Sequence, residues 1–111
     1  MAVQTQFPST MPVYVPGTYV TVAASASGAA LGAAGAIGNI LSSILVIPAT
    51  TSPGSVKIID GSTSITVFAG GASSVSNLAP IHIPIFAFSK TGAWTVTTGG
   101  NLSVIAVGLF T

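Results

Sequence analysis

The sequence predicts an all-β fold, a single antiparallel β-sandwich or jelly roll preceded by an extended N-terminal arm. Three observations carry this. Short runs rich in β-branched and aromatic residues recur every 8 to 12 residues or so, with Gly, Pro, Asn and Asp between them. Several of these runs alternate with the period of two that a strand imposes. Proline at four-residue spacing over 1–17 and four glycines over 27–39 argue against helix in the remaining segments. At 111 residues the chain is expected to form one domain over 18–111, with the arm over 1–17.

Taken in order, residues 1–17 (MAVQTQFPSTMPVYVPG) place Pro8, Pro12 and Pro16 among Phe7, Val13, Tyr14 and Val15. Proline at that density forbids a helix and removes ladder donors, so the segment reads as an extended arm anchored by those four side chains on its own domain or on a neighbour. It has no basic n-region ahead of an apolar core, so no secretory leader is expected. Residues 18–26 (TYVTVAASA) alternate Tyr19, Thr21 and Ala23 against Val20 and Val22 and read as a first strand.

Residues 27–39 (SGAALGAAGAIGN) hold glycines at 28, 32, 35 and 38. Each glycine costs about 1 kcal/mol against alanine in a helix, which favours a loop or a glycine-kinked strand. The window from Gly28 to Ile47 carries no charge. A membrane-spanning helix is nevertheless disfavoured by Asn39, Ser42, Ser43 and Pro48 and by the lack of Lys or Arg on its N-terminal side. No membrane partner is expected, and a buried strand over 40–47 is the better reading.

The middle of the chain reads as strands over 44–47, 56–60 and 65–69, reversed by Pro53-Gly54 and by Asp60-Gly61. After a polar loop at 72–77, residues 81–88 (IHIPIFAF) set Ile81, Ile83, Ile85 and Ala87 on one face and His82, Pro84, Phe86 and Phe88 on the other. Both faces are mostly apolar, so this strand is expected to be covered twice, by its partner sheet and by another chain. Ile83, Ile85, Phe86 and Phe88 are accordingly assigned to core or subunit contact. Pro84 marks a sheet edge or a bulge. Residues 93–98 form a strand with Trp94 and Val96 inward and Thr95 and Thr97 outward, Gly99-Gly100-Asn101 a hairpin connection, and 102–109 the last strand.

Charge is the unusual quantity. Lys57, Lys90 and Asp60 are the only fixed charges, 3% of residues against about 25% in an average domain, while half of the residues are apolar. Such a surface promotes association, so much of it is expected to be covered by other protein. Two cations are too few for nucleic acid, which draws on several Lys or Arg at once. The absence of cysteine excludes disulfides, zinc thiolates and thiol nucleophiles. His82 is the one histidine and Asp60 the one carboxylate side chain, so one copy cannot close a metal set of three or four side-chain ligands, and Asp60 could orient His82 as a base only if the fold brought the two together. No cofactor, metal or catalytic residue is expected. Asp60-Gly61-Ser62-Thr63 lacks the further acidic ligands of a calcium loop, and Gly28–Gly38 lacks the phosphate-cradling G-x-G-x-x-G pattern. Trp94, Tyr14 and Tyr19 are the aromatic candidates for stacking on sugar, with core packing favoured for Trp94.

The run LVIPATTSPGSVKIIDGSTSITVFAGGASSVSNLAPI (45–81), followed by GAWTVTTGGNLSVIAVG (92–108), resembles a family of small proteins encoded in the structural regions of tailed phages and prophages. The resemblance spans about 39–111. Its P-A-T-T-S-P-G and G-A-W-x-V-T-T-G blocks are turn-and-strand motifs without an active site. After Trp94 relatives carry a basic residue, whereas this chain has Thr95. The resemblance implies a virion surface or cement role on a β-sandwich scaffold. The expected function is therefore a capsid decoration protein on the capsid surface, a homo-oligomer, expected as a trimer, that clamps the phage major capsid protein. The alternatives are a tail, neck or head-fibre component, or a carbohydrate-binding module.

Overall fold

A computed structural model describes residues 17–111, which contain eight strands and no helix. They are β1 (Thr18–Val22), β2 (Ala29–Ala30), β3 (Ile40–Pro48), β4 (Val56–Asp60), β5 (Thr63–Phe68), β6 (Ile81–Phe88), β7 (Trp94–Thr98) and β8 (Leu102–Leu109). Two four-stranded antiparallel sheets, ordered β1-β8-β3-β6 and β2-β7-β4-β5, pack as a sandwich. First pairs with last, second with seventh, third with sixth and fourth with fifth. These are the pairs of one long hairpin folded over on itself, a winding compatible with a jelly roll. No described helix is long and apolar enough to cross a membrane. Phe7, Val13, Tyr14 and Val15 lie outside the described residues.

The core follows from alternation. Leu41, Ile44 and Val46 of β3, Val104 and Ala106 of β8, Val56 and Ile58 of β4, and Trp94 and Val96 of β7 meet between the sheets at 0–3% exposure. Leu41 and Ile44 are three residues apart, which a regular strand would send to opposite faces. Against β8 a register shift between Leu41 and Ser43 inserts Ser42 and keeps both leucine and isoleucine inward, while against β6 the extra residue falls on β6, where Ile85 and Phe86 face Ser42. Ser42 is buried at the shift, and its Oγ has no hydrogen-bond partner among the described residues. Ser42→Ala is therefore expected to stabilise the fold, by about 1 kcal/mol, as a higher thermal midpoint. A destabilised variant would mean the hydroxyl is satisfied.

Four sequence readings change. The first strand ends at Val22, because the chain turns through Ser25 at φ 57° and is tied to the far sheet: Ser25 N–H donates to Gly99 O, and Thr98 Oγ1 donates to Ala23 O. The glycine-alanine segment contributes the two-residue strand β2 before running as loop. The strand expected over 65–69 starts earlier, at Thr63, because a two-residue turn suffices after Asp60. Finally, Gly99-Gly100-Asn101 is not a hairpin. β7 and β8 belong to opposite sheets, and the link spends its backbone groups on other loops, with Gly54 N–H donating to Gly100 O and Gly99 N–H to Ser55 O. The Pro53-Gly54 turn likewise carries the chain from one sheet to the other, with Pro53 buried.

Candidate interaction surface

Chemistry has little to work with. His82 is exposed near the start of β6, paired with Leu45. Asp60 bonds to the loop that follows the other end of that strand, so six residues of extended chain, about 20 Å, separate the two regions. The only histidine and the only acidic side chain therefore do not form a pair. No pocket opens among the described residues, and no cluster of potential metal ligands occurs among them.

Asp60 has a structural task that its sequence position did not disclose. Its Oδ1 accepts the N–H groups of Lys90, Thr91 and Gly92 at 3.1, 3.0 and 3.2 Å, Lys90 N–H also lies 3.1 Å from Oδ2, and Thr91 Oγ1–H donates to its carbonyl. A nest of successive backbone N–H groups is an anion site, and here the chain fills it with its own carboxylate. The Thr91 N–H above all, with those of Lys90 and Gly92, holds this carboxyl below its ordinary 3.8, against the opposing effect of burial. The sign follows: a folded-state value below the unfolded one gives stability that is complete above about pH 4 and lost as pH falls through the folded value. Asp60→Asn should lower the urea midpoint at pH 7 and abolish most of the wild-type loss below pH 4. An acid limb unchanged in the variant would count against this role.

The two outer faces differ sharply in chemistry. On the β2-β7-β4-β5 sheet the outward positions are Thr95 and Thr97 on β7, Lys57 and Ile59 on β4, and Ser64 and Thr66 on β5. This is a polar exterior of the kind an antiparallel sheet presents to water. On the β1-β8-β3-β6 sheet, register and alternation turn outward Tyr19 on β1, Ile105, Val107 and Leu109 on β8, Ile40, Leu45 and Ile47 on β3, and Pro84, Phe86 and Phe88 on β6. Thr21, Ser43, Ser103 and His82 are the polar members, and neither lysine nor the aspartate is among them. Tyr19 is 71% exposed, Phe88 67%, Phe86 61% and Leu109 45%.

The residues singled out on β6 thus divide. Ile83 and Ile85 face inward and pack, half-buried, against the core, whereas Phe86 and Phe88 stand outward. The second face expected to be covered is left open by the described residues. Pro84 lies on an edge strand and beside a register shift, where its missing donor costs least. Phe86 is left-handed, φ 52°, a conformation bulky side chains rarely adopt. Trp94 is buried, with Nε1–H donating to Asn39 O at 3.0 Å, so it offers no stacking platform.

Sequence reasoning missed the breadth of this surface. It read β6 as two-sided, β3 as a buried strand and β8 only as the last strand, because the outward Leu45, Ile47, Ile105 and Val107 are as apolar as the inward set. Comparison with protein-family models, with curated proteins and with solved structures finds no match for this chain.

Proposed function

We propose that this chain is a structural protein of a tailed-phage virion, a capsid decoration or cement protein that associates with copies of itself, as a trimer, and holds major capsid subunits together. The observation that carries the reading is the uncharged, apolar outer face of the β1-β8-β3-β6 sheet. A water-facing sheet alternates apolar with polar residues, and this one does not. Contiguous apolar exposure beyond a few hundred Å² marks a surface that another molecule covers. The resemblance of residues 39–111 to phage structural-region proteins supplies the setting, and a double-sheet β fold of this kind recurs in viral shells, which is support by analogy.

Two measurements test it. Native mass spectrometry of the full chain at micromolar concentration is expected to give a multiple of the single-chain mass. Capsids carrying the protein should withstand heating that ruptures capsids stripped of it. Shells that bind none of the protein, or rupture at the same temperature with and without it, would sink the reading.

A further inference from the structure

We infer that the outer face of the β1-β8-β3-β6 sheet is the self-association surface and that its occupant is a second copy of this chain. The inference rests on the self-association proposed above and assigns it to one face. Three observations choose the occupant. The face carries both halves of a fit: aromatic side chains project on its two edge strands, Tyr19 on β1 and Phe86 and Phe88 on β6, while the central strands β8 and β3 offer a lower floor of branched side chains including Leu45, Ile105 and Val107. A surface holding both knobs and recesses can meet another copy of itself, either face to face or with the projecting edge of one copy on the floor of the next.

The area is also of the right order. Three aromatics at 61–71% exposure present on the order of 400 Å² between them, about half of the roughly 800 Å² each partner gives to a standard interface, before the aliphatic floor is added. The absence of any charge on the face suits a partner that is equally uncharged. A chain with three charged side chains, none of them here, is such a partner.

Phe86 supports the assignment from a different direction. It is 61% exposed, and its left-handed backbone lies at the register shift where Ile85 and Phe86 of β6 face the single residue Ser42 of β3. A bulge that re-aims a large aromatic side chain outward, where it adds nothing to the core, points to a role outside the fold's own stability. The same residue and Pro84 spoil the free edge of β6 for strand addition, so copies meet through side chains on the face and not by extending the sheet.

The test compares equivalent outward positions on the two faces of the full-length chain. Ile105→Lys and Leu45→Lys should reduce the assembly seen by native mass spectrometry to the single-chain mass. Thr95→Lys and Thr97→Lys, on the polar face, should leave it intact. Circular dichroism and a cooperative melt establish that each variant is folded, which outward positions permit. Phe86→Asn, a residue that tolerates the left-handed conformation, should weaken association tenfold or more without lowering the melting temperature of the dissociated chain.

A monomeric wild type removes the self-association itself. A wild-type assembly that survives Ile105→Lys and Leu45→Lys overturns the face alone. If the wild type is monomeric and Ile105→Lys abolishes its binding to capsids, the shell is the occupant and the inference falls. It falls equally if removing residues 2–16 raises the assembly mass, since the chain's own N-terminal segment is then the cover.

Discussion

Trp94→Ala is expected to lower the unfolding free energy by about 3–5 kcal/mol, the cost of emptying a large aromatic site in a core. Trp94 is 3% exposed, lies between the sheets against the Val and Ile cluster, and donates its Nε1–H to the carbonyl of Asn39. That carbonyl also accepts from Ser89 N–H, while the Asn39 side chain grips Thr111 through both its oxygen and its nitrogen. Truncation therefore opens a cavity and loosens the point where three segments meet. Domains of this size keep only about 5–15 kcal/mol in total, so the variant sits near the limit of foldability. Trp94→Phe fills most of the volume and loses the hydrogen bond, with an expected cost of about 1–2 kcal/mol. Because Trp94 is the one tryptophan, urea melts should be followed by circular dichroism. A loss below 1 kcal/mol for the alanine variant would show that this cluster is not the main source of stability.

Gly92→Ala should also be damaging, at about 1–3 kcal/mol, because a Cβ there would run into the Gly61 backbone. Gly61 is itself left-handed, φ 60°, with Thr91 2.7 Å from where its own Cβ would sit. Two loops are thus pressed together glycine on glycine, directly beside the Asp60 carboxylate bonded to residues 90–92. Gly28→Ala provides the control. Gly28 has the same φ of 60° but open space around it, so it reports conformational strain without collision, about 1 kcal/mol. Gly92 has no positive φ, so its loss reports collision alone, and a loss below about 1 kcal/mol there would remove the steric argument.

Much of the fold was legible because it is written in alternation. Residues 81–88, and Trp94 and Val96 against Thr95 and Thr97, read directly from a period of two, whereas Asp60-Gly61 marked a reversal without showing that two residues complete it. The connections were less legible. Gly99-Gly100-Asn101 has the composition of a hairpin turn, and only its hydrogen bonds to Gly54 and Ser55 make it a passage between sheets. Local composition specifies that the chain bends but not which sheet receives it. Phe86 and Phe88 were legible as surface candidates, whereas the floor formed by Ile105, Val107, Leu45 and Ile47 was not. A strand apolar on both sides looks the same whether its second side meets the chain's own core or a neighbour. The reach of Asp60 to residues 90–92 spans 30 residues of sequence and has no local signal.

The pairing of β1 with β8 has a consequence for how the protein comes into being. The strand that leads the described chain has no ladder until the one that closes it has been made, and β3, which lies between β8 and β6, waits for the same segment. During synthesis the early strands are left with open edges and bare isoleucine and valine. Folding dominated by such distant closures is slow, in the range of milliseconds to seconds, and prone to aggregation. A chain almost without charge has little repulsion to protect it in that interval, so its yield should depend strongly on concentration and temperature during expression.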